Sequence, residues 1–212
     1  MMKLLVLGAT GATGRRFVEQ ALGAGHHVTA YVRNPGRIDA SRLTTIAGSV
    51  DDPQALARAV AGHDAVVSML GNGSGKTDKT LIHDSTMALI TAAEQSGVKR
   101  LVLLSAFGVG ESLPKASWLG KLVYKRVLGD VFADKARGEA RLRESGLDWT
   151  VVYPVTLNDK EATHSIVATS LEQTPKVSGL PKVTRADVAD FLLRTTENGT
   201  YMHKTVVLRP SK

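Results

Sequence analysis

The 212-residue chain contains no cysteine. That absence excludes a disulfide framework, thiolate zinc sites and thiol catalysis together. Aromatic residues make up only 5% of the chain, and their scarcity in its most basic segment puts nucleic acid last among the expected partners. Long hydrophobic runs are missing as well. Leu4–Leu7, Val66–Leu70 and Leu101–Leu104 fall far short of the ~18 residues of a membrane span. Four apolar residues lie between Lys3 and Gly8, too few for the core of a signal peptide. A reducing, cytoplasmic setting without membrane association is expected, and Asn198-Gly199-Thr200 then reads as a chance glycosylation match.

Several catalytic patterns are also missing. The six histidines (His26, His27, His63, His83, His164 and His203) show no metal-ligand spacing, so no metal site is expected. No Gly-x-Ser-x-Gly elbow surrounds Ser105. Four residues beyond Tyr31, Tyr124, Tyr153 and Tyr201 stand Pro35, Leu128, Leu157 and Thr205. The Tyr-x-x-x-Lys pair of many short-chain dehydrogenases, in which lysine lowers the tyrosine pKa, is therefore not present.

What is present is an ordinary globular mixture of 43% hydrophobic and 22% charged residues. With 27 Lys+Arg against 20 Asp+Glu, the net charge is +7. Most of the excess falls between Lys115 and Arg143. There, eight basic residues (Lys115, Lys121, Lys125, Arg126, Lys135, Arg137, Arg141, Arg143) face three acidic ones (Asp130, Asp134, Glu139). This pattern reads as a solvated helix face, or as a surface that attracts an anionic small molecule. Few aromatics and no binding module leave nucleic acid outside the expected partners.

Apolar strands and amphipathic helices alternate along the chain. Strands are expected at 2–7, 27–32, 43–47, 65–70, 99–105, 149–153, 165–169 and 204–208. Helices are expected at 12–24, 53–61, 81–96, 116–145 (interrupted near Gly129) and 185–195, the last capped by Thr184. Unalternated apolar strands separated by helices indicate an α/β fold: a Rossmann-type, doubly wound, mainly parallel sheet covered on both faces. The chain reads as one NAD(P)-binding domain over 1–212, with a smaller variable, substrate-side portion at about 155–185.

The dinucleotide reading rests on Gly8-Ala9-Thr10-Gly11-Ala12-Thr13-Gly14, placed between the first strand and the first helix. Glycine permits a tight turn and close approach to a pyrophosphate, and the helix N-terminus supplies free N–H groups and positive dipole. Thr10 and Thr13 add hydroxyls. About 20 residues further on, where an acid would bind the ribose of NAD, stands Arg33, with Arg37 close behind. An arginine pair suits a 2′-phosphate, so NADP(H) is the expected cofactor. Gly48-Ser49-Val50, Leu70-Gly71 and Ser105-Ala106-Phe107 follow the third, fourth and fifth strands, at equivalent points along such a cofactor. Gly71-Asn72-Gly73-Ser74-Gly75-Lys76-Thr77 is one residue short of an ATP-binding P-loop and reads as a loop near the cofactor.

The glycine turn, Val32-Arg33-Asn34, Ala61-Gly62-His63-Asp64-Ala65-Val66-Val67, Ser105-Ala106-Phe107, Leu142-Arg143-Glu144-Ser145-Gly146-Leu147 and Val183-Thr184-Arg185-Ala186-Asp187-Val188-Ala189 occur in this order. Together they resemble the atypical short-chain dehydrogenases with an NAD(P)H-binding domain. Within these they are most similar to NADPH-dependent flavin reductases (biliverdin IX-beta reductases), and NmrA-like redox sensors share much of the pattern. The resemblance implies cofactor contacts at Gly8, Thr10, Gly11, Ala12, Thr13, Arg33, Arg37, Ser49, Val50, Leu70, Gly71, Ser105 and Pro154. It implies a catalytic neighbourhood of Ser105, Lys135 and Thr156. The family's Pro-Pro-His after the sixth strand reads Pro154-Val155-Thr156 here, so Thr156 stands in the place of an active-site histidine. The expected activity is NADPH-dependent hydride transfer to a planar acceptor such as a flavin (FMN or FAD), a quinone or a tetrapyrrole. The alternative is a non-catalytic NADP(H) sensor.

Overall fold

Strand β1 (Lys3–Leu7) is buried from Leu4 to Leu7, and the turn after it leads into helix α1 (Ala12–Gly23), which buries Phe17, Val18 and Ala21. The chain continues through β2 (His27–Val32), β3 (Thr44–Ala47), α2 (Pro53–Val60), β4 (Ala65–Ser68), α3 (Leu81–Ser96), β5 (Arg100–Leu104), α4 (Trp118–Glu144) and β6 (Asp148–Pro154). It ends with β7 (Thr156–Asn158), β8 (Ile166–Ser170), β9 (Lys182–Thr184), α5 (Arg185–Asn198) and β10 (Lys204–Pro210). This computed structural model describes residues 1–71 and 80–211, with backbone alone for Leu119 and residues 123–128. Apart from Gly71, the glycine-rich loop read at 71–77 lies outside the described residues.

Eight strands form one sheet in the order β3-β2-β1-β4-β5-β6-β10-β8. The ladders are parallel except for β8, which pairs antiparallel with β10 along the edge. Burial on both faces explains why β1, β4 and β5 read as continuous apolar runs. The strand order and crossovers are those of a Rossmann-like fold.

Local signals set the helix ends. Asp52 accepts from Ala55 N–H at the start of α2, Thr184 accepts from Asp187 N–H at the start of α5, and Gly97 closes α3 with φ 76°. The interruption expected at Gly129 does not occur, because α4 runs unbroken from Trp118 to Glu144. One glycine costs a helix only about 1 kcal/mol, and packing against α3 offsets that. At Gly138 a Cβ would sit 3.1 Å from Thr86 Oγ1. Asp134, fully buried, accepts from the N–H groups of Ile82 (2.8 Å) and His83 (3.2 Å) at the start of α3.

The region 155–185 holds a two-stranded parallel ladder, β7 with β9, besides the edge strand β8. Asp187 in the first turn of α5 ties it down. Its carboxylate accepts from Thr163 N–H and Oγ1–H, His164 N–H and Thr184 Oγ1–H. Arg185 adds an ion pair to Asp159 at 2.8 Å.

Candidate cofactor site and the buried cluster beside it

The strand order reverses between β1 and β4, so the turns after these strands diverge and leave a crevice. Gly8 closes β1 with φ 79°. A Cβ there would lie 2.5 Å from the Met69 carbonyl oxygen, and one on Gly14 would lie 2.1 Å from the Gly8 carbonyl oxygen. Only hydrogen fits at either position. Gly11 N–H donates to the Gly8 carbonyl at 3.0 Å, and Gly11 is the N-cap of α1, with no side chain bonded to the cap. The free N–H groups of that first turn and the helix dipole favour an anion. Ala12 is exposed, Thr10 half-buried and Thr13 buried. A cradle that a methyl group would fill, at the switch point and over an uncapped helix, fits a dinucleotide pyrophosphate.

The neighbouring strand ends assemble around this crevice. Met69 N–H donates to the Leu7 carbonyl at 2.9 Å, which holds half-buried Leu70 and exposed Gly71 beside the turn. Gly48 N–H donates to the Val32 carbonyl, and the Tyr31 hydroxyl donates to the Ser49 carbonyl at 2.8 Å. Gly48 must lack a side chain, since a Cβ would stand 2.2 Å from the Tyr31 hydroxyl oxygen. This tyrosine sets Ser49 and Val50 beside the end of β2.

Arg33 follows β2, and Arg37 ends a 3-10 turn ordered by Asn34 Oδ1, which accepts from Gly36 N–H. Both guanidinium groups are exposed, and neither bonds a described residue. Arg37 lines a cleft of about 250 Å³ with Arg15 and Arg42, over Val18 and Leu22. Sequence spacing did not single out Arg15 or Arg42. Arg15 sits one residue past the last turn glycine, and its Nε donates to the Thr10 carbonyl at 3.0 Å.

On the other side of the crevice, Ser105 N–H donates to the Val152 carbonyl and Phe107 N–H to the Pro154 carbonyl, both at 2.9 Å. These bonds prolong the β5–β6 pairing past the strand ends. They bring buried Ser105 and Pro154 together, with exposed Thr156 next along the chain. Lys135 lies on α4, only 8% exposed.

With Lys135 comes a cluster that sequence reading placed on a surface. Lys135, Glu139 and Arg143 stand one helical turn apart, and α4 presses them against the sheet. Glu139, 1% exposed, accepts from the Tyr153 hydroxyl in a short bond and from Arg143 at 3.2 Å. Arg143 also reaches the Tyr153 hydroxyl oxygen and Thr205 Oγ1, at 3.2 and 3.3 Å. Burial pushes the Glu139 carboxyl above the ordinary carboxylate range, against the lowering effects of Ser105, Tyr153, Arg143 and Lys135. Burial lowers the Lys135 ammonium, and Glu139 and Asp134 partly oppose it. Burial, reinforced by Glu139, raises the Tyr153 phenol. Ser105 Oγ and Glu139 Oε1 lack a well-aligned hydrogen-bond partner, although the Ser105 hydroxyl is near enough to lower the Glu139 pKa. Buried polar atoms are rarely left so, and a bound ligand would satisfy them.

Part of the positive excess is thus internal, not a solvated face. The i, i+4 alternation of sign along 135, 139 and 143 shows that these charges share one stripe of the helix, not that the stripe is buried. Among the described residues no group of histidine or acidic side chains could hold a metal, and no helix is long and apolar enough to cross a membrane.

The NAD(P)H-binding family model matches residues 8–198. The chain belongs to that family. This NAD(P)H-binding protein is 27% identical over 215 residues to the photosystem II assembly factor Ycf39 of Synechocystis, covering 96% of this chain and 61% of that one. It is 28% identical over 159 residues to an NAD(P)H azoreductase of Xenophilus azovorans, covering 71% and 47%. The chain therefore spans less than two thirds of the length of these curated relatives. Among solved structures it is similar to ChuY, an anaerobillin reductase of Escherichia coli O157:H7. That match has a TM-score of 0.81 and 24% identity, over 98% of this chain and 97% of that one, a likeness of fold.

Proposed function

We propose that the protein is an NADPH-dependent reductase of planar acceptors. The observation that carries this reading is the cradle at the β1–β4 switch point, where Gly8 and Gly14 leave no room for a side chain below an uncapped helix. The azoreductase and the anaerobillin reductase among the similar proteins support an acceptor with an extended conjugated system.

The roles follow from position. Gly8, Thr10, Gly11, Ala12 and Thr13 hold the pyrophosphate. Arg33 and Arg37 bind the 2′-phosphate through charge-assisted hydrogen bonds. Ser49 and Val50 wall the adenine, and Leu70, Gly71 and Pro154 line the remainder towards Ser105. Bound NADPH supplies a hydride. Ser105 donates a hydrogen bond at the reacting end, and Thr156 borders the acceptor. A cleft of about 280 Å³ between the segment after β5 and α4 is walled on the helix side by Gly129, Phe132, Ala133 and Ala136 and on the other by Gly108, Gly110 and Leu113. Its apolar walls suit a flat ring. Reduction leaves negative charge on the acceptor until water supplies the proton, and Lys135, which does not line the cleft but adjoins Ala136 on α4, contributes a favourable positive field. The protein's work is positioning and charge stabilisation.

Titration with NADPH and NADH tests the cofactor assignment. Arg33→Ala is expected to weaken NADPH by about 2–3 kcal/mol and NADH hardly at all; equal weakening of both overturns the 2′-phosphate role. NADPH oxidation with FMN, a quinone, an azo dye and a tetrapyrrole tests the activity. Tight NADPH binding with no acceptor reduced would replace the reductase by the sensor reading.

A further inference from the structure

The buried charges on α4 exceed what packing alone needs. Lys135, 8% exposed, makes no hydrogen bond or ion pair with a described residue. Glu139 commits its Oε2 to Tyr153 and Arg143 and leaves Oε1 without a partner. Ser105 Oγ, at the carboxyl end of β5, likewise lacks a well-aligned partner, although it lies close enough to Glu139 to lower that carboxyl's pKa. A fold seeking only stability would fill this space with apolar side chains, since a buried ion pair rarely gains on them. We propose that Glu139 is a positioning residue for the acceptor site: pinned by Tyr153 and Arg143 and buried one helical turn from Lys135, it holds a fixed counter-charge to that lysine and orients the Ser105 hydroxyl. The inference rests on the reductase reading for its purpose, but the state of Lys135 can be measured without turnover.

The charges around the pair are few. Lys135 faces Glu139 and Asp134. Asp134 in turn meets Arg137, the backbone of Ile82 and His83, and Lys135 itself. Glu139 faces Arg143 on its own helix, Tyr153 on β6 and Ser105 after β5. Thr205 on β10 and Glu111 in the segment after β5 touch the network through Arg143. Arg143 is ion-paired to the Glu139 carboxylate, and Lys135 stands one helical turn away with no ion pair of its own, so the trio keeps a surplus positive charge. Removing the Glu139 charge takes a counter-ion from Lys135 while Asp134 remains.

The test is the titration of Lys135 Nζ by 15N side-chain NMR on the full chain, assigned by its loss in Lys135→Met. Glu139→Gln is expected to lower the Lys135 midpoint by about one pH unit, and Glu139→Asp, which restores the charge, to return most of the shift. An unchanged midpoint in Glu139→Gln overturns the proposal. So does an equal shift in both variants, which would mark a purely structural side chain. Should Glu139→Gln not fold, Lys135→Met reads the same coupling from the other side. The Glu139 carboxyl, followed by 13C NMR, then titrates higher, and an unmoved carboxyl overturns the proposal. If no acceptor is reduced, the reductase reading fails while this titration still decides the role of Glu139.

Discussion

At the scale of single residues, two glycines of α1 and its turn make a sharp contrast. Gly14→Ala would drive a Cβ to 2.1 Å from a backbone carbonyl, whereas at Gly23 nothing stands within 4 Å. Gly14→Ala is expected to lower the melting temperature and weaken dinucleotide binding more than tenfold, by about 1.4 kcal/mol or more. Gly23→Ala should be neutral or stabilise by up to about 1 kcal/mol. Calorimetry of the two variants with and without NADPH checks both. Asp187 carries a pH signature. Burial pulls its pKa up, but hydrogen bonds from Thr163, Thr184 and His164 hold it below the ordinary value. Its contribution is therefore full above the unfolded carboxyl value of about 3.9 and is lost as pH falls through the lower folded value. Asp187→Asn is expected to cost about 2–3 kcal/mol at pH 7. The gap to wild type in urea melts should close on acidification below about pH 4.

At the scale of elements, buried polar groups decide which helices and strands stay together. Arg100, at the start of β5, donates to the Asp148 carbonyl and Thr150 Oγ1 on β6 and to the Thr195 carbonyl on α5. Burial lowers its pKa to about 10, so it remains cationic at neutral pH. Arg100→Ala would strand these acceptors and should destabilise by about 2–4 kcal/mol in denaturant melts. The α3–α4 contact depends in the same way on Asp134 and Gly138. The tether at Asp187 governs 159–164, so limited proteolysis there should accelerate in Asp187→Asn while the eight-stranded sheet stays protected.

At the scale of the whole molecule, ligand linkage offers the broadest check. A ligand that binds only the folded chain, present at 100 times its Kd, stabilises it by about 2.7 kcal/mol. For a chain of this size that is on the order of 5–10 °C. NADPH should produce a shift of that order, with NADH well behind it at equal concentration. Parity between the two would contradict the roles given to Arg33 and Arg37. The net charge of +7 would suggest an electrostatic partner to a reader of composition alone. With Lys135 buried and Arg143 engaged by Glu139, less of that charge faces solvent than the count implies.

The sequence by itself determined the α/β alternation, most element boundaries to within two residues, and the phosphate turn. Those features are local: apolar runs, a capping threonine, and glycines between a strand and a helix. Only the tertiary structure decided which strands neighbour one another, and hence that Gly8 presses on Met69, 61 residues away in the chain. It also decided which face of α4 turns inward. Charge at helical spacing says that Lys135, Glu139 and Arg143 share a stripe, but not whether water or a sheet lies beneath it. The packing of α4 on α3 and on the sheet settles that. Asp134 caps α3, Gly138 lets the two helices close, and the remaining stripe has nowhere to lie but against Tyr153 and Ser105. A break at Gly129 was a reasonable local expectation. The helix is 27 residues long, and the contacts made at Asp134, Gly138 and Glu139 outweigh one residue's preference.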